Sequence, residues 1–541
     1  MVTGPLDLLV VGGGITGAGI ARDAAMRGIR TAVIEKGDFG SGTSSESSKL
    51  VHGGLRYLEM GDLGLVFEAC RERRTLLRIA PHLVRPQPFL FPVHQGSRVG
   101  YWKLAAGLTL YDLLALFRNV GRHRMLRRRA TLRLEPHLKG AGLKGAGYYY
   151  DARCDDARLT LATVRSAHQH GALAANYVEL DDFERPDGQV CGARVTDRMS
   201  ADTYTIRASV VVNATGPWSD DLRARTGGAP ALNRSKGVHV VVPRHRLGIG
   251  EHAITMLSPI DGRVMFAIPW RDLAYVGTTD TEDDVEPDGI RATADDVVYL
   301  LRSANAMFPA ARLGPDDVVS TWAGVRPLAR SRRPVAPGSP SAISREHRII
   351  EDDNGLISVV GGKLTTYRAM GAEVVNHVAR RLHAVDGRRL PRSARTAREP
   401  LPGGEVTDLE ILATELVRSG FSREVAEHLV GAYGTEAAAV ARIAESDPGW
   451  AAPIVGGHPA IRAELVHAIR REMAMTLGDL MMRRTHLFFE VLGHAVPEAP
   501  GIVDFAAEEL GWDASRKASE LATYLEQIQH GMAFRDRLTE S

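Results

Sequence analysis

The chain has 541 residues, too many for one small domain, so two or three domains with ample core are expected. Apolar residues make up 44% and charged residues 24%, an ordinary globular composition, and a formal net charge of +2 gives no global case for a nucleic-acid partner. Cys70, Cys154 and Cys191 lack CxxC or HxC spacing, which argues against a disulfide framework or structural zinc and suits a reducing cytosol.

In chain order, residues 6–11 (LDLLVV) read as a short buried strand. Gly12, Gly14 and Gly17 follow as G-x-G-x-x-G, a helix runs over about 18–27, and residues 31–34 form the next strand, closed by Glu35. This is the dinucleotide-binding fingerprint in its required context. Gly12 permits the tight turn, Gly14 lets backbone approach a pyrophosphate, and Gly17 lets helix pack on strand. The pyrophosphate rests on the helix N-terminus, and Glu35 accepts from the ribose hydroxyls. The motif alone does not separate FAD from NAD. Glycines interrupt this first apolar run and no basic segment precedes it, so it does not read as a signal peptide.

Residues 40–58 are small, polar and then glycine-rich, and suit no regular element. A helical pattern over 65–79 stops at Pro81. Apolar residues recur at helical spacing over 99–117, before the basic run Arg122, Arg124, Arg127, Arg128, Arg129 and Arg133. Residues 159–170 read as a helix, 178–196 as strands and turns, and 209–212 as a buried strand running into NATGPW with Gly216. Several strands are expected over 236–280, among them FAIPW and AYVGTTD. Residues 356–368 read as an apolar strand ending in Gly361 and Gly362 and opening a helix at Lys363, Leu364 and Thr365. Such a second helix N-terminus suits the O2 edge of a flavin. A chain that returns to its first domain about 300 residues later fits a flavoenzyme with interleaved domains better than a simple NAD dehydrogenase. Residues 384–404 are rich in proline, glycine and arginine and read as a linker. Beyond them the pattern is helical, REMAMTLGDLMM included. No segment reaches the roughly 20 apolar residues of a membrane span.

The motifs VVGGGITGAGIARDAAMRG, SSKLVHGGLRYLE, YYYDARCDDARL, NATGPW, SKGVHVVVP, GTTD, AGVRPL, SREHRI and GGKLTTYRAM stand in this order over nearly the whole chain. With them the sequence resembles the FAD-dependent glycerol-3-phosphate dehydrogenases of the D-amino-acid-oxidase-like flavoproteins. Arg330-Ser-Arg-Arg-Pro departs from the family pattern, which is acidic there, and bears on local surface charge. The resemblance implies an α/β fold in three parts. A Rossmann-like FAD domain (about 1–80, 145–230 and 340–385) is interleaved with an antiparallel-sheet substrate domain (about 81–144 and 231–339). A linker over 386–404 leads to a C-terminal all-helical domain over 405–541. Non-covalent FAD is expected against Gly12, Gly14, Gly17, Glu35, Thr43, Ser44, Ser48, Gly216, Gly362, Lys363, Leu364 and Thr365, with no metal.

The substrate so implied is sn-glycerol 3-phosphate, oxidised at C2 to dihydroxyacetone phosphate with hydride passing to flavin N5. A near-dianionic phosphate calls for arginines in bidentate geometry. Arg326 and Arg345 are the first choices, with Arg56 and Tyr57 lining the same pocket. Elsewhere in the chain an arginine is more simply a surface ion pair. A histidine suits removal of the hydroxyl proton. His239 is favoured, with His52 or Arg56-assisted transfer open, although most of the 19 histidines are expected to be structural. Lys363 either stabilises anionic reduced flavin, contacts substrate, or is a solvated helix-start lysine. Residues 98–129 have the composition of an interfacial helix, or of a core helix beside a solvated basic loop. Family behaviour favours peripheral attachment to an anionic membrane surface at the cytoplasmic face and a quinone acceptor. Three other readings are an oxidase that makes peroxide, a sarcosine- or amino-acid-oxidase-like activity that would not need the phosphate clamp, and a non-catalytic flavin-binding interaction protein. The oligomeric state is open, a homodimer included.

Overall fold

The computed structural model describes residues 4–59, 61–282, 286–330, 346–406 and 408–538. Two sheets organise the described residues. In the first, of eight strands, Leu6–Val11 lies between Thr203–Asn213 and Thr31–Ile34, all parallel. Ile357–Val360 adds to the far side of Thr203–Asn213, and Leu173–Ala175 to that of Thr31–Ile34. Val11 stands level with both Ile34 and Asn213, so the glycine turn, Glu35 and the Asn213 turn emerge at one end of the sheet. Ligands of open α/β sheets collect at that end.

The first helix is Ile15–Met26 and starts three residues earlier than its apolar pattern suggests, with Gly14 as its N-cap and Gly17 inside its first turn. It packs against Asp156–Gln169 and Tyr367–Asp386. Gly371 makes the second of these contacts possible, since a Cβ there would sit 2.8 Å from the backbone of Gly19. Asp155 caps Asp156–Gln169 by accepting from the Arg158 amide.

The second sheet has ten strands and is antiparallel except where Ala253–Leu257 runs beside Val84–His94. Its centre for function is Leu232–Pro243, paired with Leu273–Gly277 and with Ser320–Ala329. The strand Leu143–Cys154 crosses the expected domain boundary near 145 and lies wholly in this sheet. Residues 40–58 are not wholly irregular: Leu50–Val51 pairs with Leu143–Cys154, and Leu55–Glu59 is a short helix. The basic run is not a plain loop either. It contains the strand Arg124–Arg127 and the helix Arg128–Leu134.

Beyond residue 406 the described elements are helical, around two separate apolar cores. The apparent continuous helix through REMAMTLGDLMM is broken. Arg462–Glu472 ends at Met473, whose φ is +54°, and a π-helical turn follows at Asp479–Arg484. The break is tied to buried charge. It leaves Glu472 against Arg158 and turns Arg483 and Arg484 onto Asp38 of the nucleotide-binding region.

Candidate functional site

At the end of the parallel sheet, Gly12 has φ +107°, and a Cβ there would lie 2.7 Å from the Ala214 carbonyl oxygen. A Cβ on Gly17 would meet the Gly12 carbonyl oxygen at 1.9 Å, so neither position admits a side chain. Gly14 begins the helix with no side-chain cap and no acid in the first turn, which leaves the positive end of the dipole for an anion. Ser44 Oγ accepts from the Ile15 amide at 2.9 Å. Glu35 accepts from the amides of Gly13 at 2.7 Å and Gly37 at 3.0 Å. Burial outweighs these bonds and raises its carboxyl above the usual range. Gly216 has φ +58° with open space where a Cβ would stand. Gly361 and Gly362 have φ +78° and +100°, and the turn Leu364–Thr366 leads directly into Tyr367–Asp386. Glycine turns, a helix start whose N-cap is a glycine and an acid closing the second strand fit the adenosine diphosphate half of FAD.

The loop from Thr43 to Tyr57 joins this region to the second sheet. Thr43 Oγ1 donates to the Val325 carbonyl at 2.6 Å. Trp322 Nε1 donates to the Ser47 carbonyl, and the Tyr275 hydroxyl to the Ser48 carbonyl, each at 3.0 Å. Ser48 Oγ lies 2.9 Å from His239 Nε2. Thr43 and Ser48, both expected against the cofactor, thus have hydrogen-bond partners in the second sheet. Further along, the His52 amide donates to Thr365 Oγ1 at 3.2 Å, which fastens the HGG turn to the GGKLTT turn. Lys363 Nζ sits 3.5 Å from the centre of the Tyr57 ring, a cation–π contact.

Strand pairing explains why His239 and Arg326 share a face. Ser235, Gly237 and His239 stand opposite Arg326, Gly324 and Trp322. Alternation puts all six on one side of the sheet. The central glycines provide the room. A Cβ on Gly237 would lie 2.2 Å from Arg326 Nη2, and one on Gly324 would lie 2.8 Å from the Glu46 carbonyl oxygen. A third glycine, Gly277, makes space for the imidazole, since a Cβ there would sit 2.0 Å from His239 Cδ2.

His239 is buried and stacks on Trp322 with ring centres 4.9 Å apart. Burial, then the charges of Arg326 and Lys49, hold its pKa well below the usual histidine range. The imidazole is therefore neutral at physiological pH. Arg326 donates to Thr278 Oγ1 at 2.9 Å, to the Thr279 and Lys236 carbonyls at 3.1 Å, and reaches Asp280 Oδ1 at 3.4 Å. A buried carboxylate thus orients the guanidinium. Arg56 belongs to the helix Leu55–Glu59, next to Tyr57, but its side chain and all of Arg345 lie outside the described residues.

Sequence reasoning missed Trp322, Tyr275 and Lys49, whose ammonium pairs with Asp156 at 2.7 Å. For Trp322 a signal existed, because it precedes Arg326 by four residues in a strand and must share its face. The stretch over 99–117 forms the helix Tyr101–Leu114, which buries Leu104, Leu108, Tyr111 and Asp112. Its other side exposes Trp102 (81%) and Leu113 (52%), next to exposed Leu116 and Phe117.

The chain matches the family model described as FAD dependent oxidoreductase over residues 7–376, and that of the C-terminal domain of alpha-glycerophosphate oxidase over residues 394–517. It is 37% identical over 535 residues to an aerobic glycerol-3-phosphate dehydrogenase of Staphylococcus epidermidis, covering 97% of this chain and 93% of that protein. Among solved structures it is similar to the glycerol-3-phosphate dehydrogenase from Bacillus halodurans complexed with FAD, with TM-score 0.80 and 34% identity over 98% of this chain and 95% of that one. The L-alpha-glycerophosphate oxidase from Mycoplasma pneumoniae shares the fold at TM-score 0.54 and 17% identity, over 72% of this chain and 96% of that one.

Proposed function

Because this chain belongs to the FAD-dependent oxidoreductases of the glycerol-3-phosphate dehydrogenase family, we propose that it oxidises sn-glycerol 3-phosphate to dihydroxyacetone phosphate and passes the electrons to a membrane quinone. Bound FAD, held non-covalently, supplies the two-electron acceptor.

One observation carries the assignment: the loop from Thr43 to Tyr57 links a sheet face bearing His239 and Arg326 to a turn bearing Lys363. A neutral imidazole is in the protonation state that a general base needs. His239 accordingly takes the C2 hydroxyl proton, with His52 the second choice. Arg326 anchors the phosphate, and its orientation by Asp280 pre-organises it. Tyr57 lines that side of the pocket in this reading, and Arg345 and Arg56 are assigned to it from their sequence motifs. Lys363 balances negative charge at the glycine turn.

The acceptor reading rests on the surface around Tyr101–Leu114. Among the described residues no helix is long and apolar enough to cross a membrane. Trp102, Ala106, Thr109 and Leu113 form an exposed stripe, and Arg122, Arg124, Arg127, Arg128 and Arg129 are exposed nearby in sequence. An apolar stripe flanked by cations suits the inner, anionic face of a bilayer, with each basic residue worth roughly 1 kcal/mol near the surface. The match to an alpha-glycerophosphate oxidase domain favours oxygen as a second acceptor reading.

The deciding experiment is anaerobic addition of glycerol 3-phosphate to the purified yellow holoprotein, followed by quinone, with or without anionic vesicles, or by oxygen. Bleaching of the flavin followed by lipid-stimulated reoxidation with quinone supports the proposal. Fast peroxide formation without vesicle binding at low salt supports the oxidase reading, and absence of bleaching overturns both.

A further inference from the structure

A buried polar cluster outside the pocket lies directly beneath the HGG turn. Its centre is Asp151, on the strand Leu143–Cys154. The single oxygen Oδ1 accepts from the Gly53 amide at 3.1 Å, from the Tyr111 hydroxyl at 2.6 Å, and from Arg73 Nη1. Asp151 and Tyr111 are 4% and 1% exposed and Arg73 is 3%, so these bonds form away from water. Arg73 is itself oriented from several sides. It donates to the Tyr111 hydroxyl at 2.7 Å and to Asn119 Oδ1, and the Asn119 amide donates to Asp112 at 2.6 Å.

This is an expensive arrangement for stability alone. Burying an ion pair is often no better than packing apolar groups of the same volume. What it achieves is a fixed acceptor at one point of the backbone. Gly53 sits so close to the cluster that a Cβ there would be 2.3 Å from the Tyr111 oxygen and 2.5 Å from Cys70 Sγ. From Gly53 the chain passes through Gly54, whose φ is +77°, and the Tyr57 amide bonds back to the Gly54 carbonyl at 2.8 Å. The Tyr57 ring then packs on Gly54, where a Cβ would lie 2.2 Å from its edge, and receives Lys363 Nζ on its face. Each link is short and without slack.

We propose that Asp151 is a positioning residue for the reaction: held by Arg73 and Tyr111, its carboxylate fixes the Gly53 amide and so the turn that presents Tyr57 to Lys363. The inference rests on the functional reading above, which puts Tyr57 in the substrate pocket. It acts on the binding side of that pocket, whereas His239 stands on a different strand. Disturbing Asp151 should therefore raise KM and leave kcat near its wild-type value.

The test uses holoprotein, with steady-state oxidation of glycerol 3-phosphate by an artificial electron acceptor for KM and kcat and anaerobic bleaching of the flavin by the same substrate, and FAD content and thermal midpoint measured in parallel. Asp151→Asn keeps an oxygen but loses the charge that aligns it with Arg73. Its KM should rise about tenfold, the effect of leaving one buried amide poorly satisfied, with kcat changed less than threefold. Tyr111→Phe keeps the ion pair and removes one donor, and its KM should rise about threefold. A lower thermal midpoint or FAD content with KM unchanged in both variants would mark a purely structural ion pair and overturn the proposal. If Asp151→Asn does not accumulate as holoprotein, Tyr111→Phe decides by the same criterion. Wild-type flavin that glycerol 3-phosphate fails to bleach overturns the functional reading and this one with it. Wild-type bleaching with unaltered variants overturns the positioning role alone.

Discussion

Asp38 joins the C-terminal helical domain to the nucleotide-binding end of the sheet, and its removal should loosen both. It follows Glu35 by three residues and is fully buried against two consecutive arginines from the helical domain. Arg484 donates at 2.8 and 3.0 Å, and Arg483 Nε at 2.5 Å. Burial alone would raise the carboxyl, but Arg484 and then Arg483 overcome it and hold the pKa at about 2. Relative to an ordinary aspartate this is worth on the order of 2 kcal/mol. A carboxyl depressed in the folded state contributes fully above pH ~4 and loses that contribution as pH falls towards ~2. Asp38→Ala leaves two guanidiniums in the interior. Arg483 keeps Asp479 at 2.6 Å, and Arg484 keeps the Glu472 carbonyl at 2.8 Å. The cost should thus lie at the lower end of the range for a broken buried pair, about 3 kcal/mol. The assay is denaturant unfolding of the holoprotein at pH 7, followed by flavin fluorescence and by far-UV circular dichroism. The first transition should shift to lower denaturant, with FAD released at that step. A combined Asp38→Leu and Arg484→Met variant should lose less than the sum of the single changes, because it removes the unpaired charge. An unchanged first transition in Asp38→Ala, or strict additivity in the double variant, would refute the reasoning.

Three further outcomes are expected. Glu35→Ala should weaken FAD binding by about 1.5–3 kcal/mol through lost charge-assisted hydrogen bonds, read as the dissociation constant of the released flavin; unchanged retention would remove Glu35 from the site. Arg326→Lys should raise KM for glycerol 3-phosphate by losing the two-pronged geometry, and Arg326→Ala should raise it more, whereas glycerol, a poor substrate without the phosphate, should hardly distinguish them from wild type. His239→Asn should lower kcat by ~10²–10⁴-fold, and the acidic limb of the wild-type pH–rate profile should lie below the ordinary histidine range because the ring is buried beside Arg326 and Lys49. A comparable loss in His52→Asn with His239→Asn nearly silent would move the role to His52.

Much of the nucleotide end was legible because its constraints are local. Gly12, Gly14 and Gly17 stand within one turn of backbone, and Glu35 closes the next strand, so spacing alone specifies their geometry. The strand-to-helix turn at Gly361 and Gly362 was legible for the same reason. Other features depended on register between distant segments. Nothing near His239 in sequence says that Trp322 will stack on it, or that Gly237 and Gly324 will face each other, the first making room for Arg326 and the second for the loop at Glu46. The helical reading of REMAMTLGDLMM failed at Met473 because a local periodicity carries no knowledge of Asp38, more than 400 residues earlier, whose charge the turn must meet. By itself the sequence determined the strands and helix of the nucleotide-binding unit, the glycine turns and the residue types that chemistry requires, since those follow from backbone sterics and hydrophobic period. Only the tertiary structure decided which histidine is held neutral, which carboxylate orients Arg326, and which buried acid pins the HGG turn. Burial and the distance between charges are properties of space, and the chain acquires them only when its strands have paired.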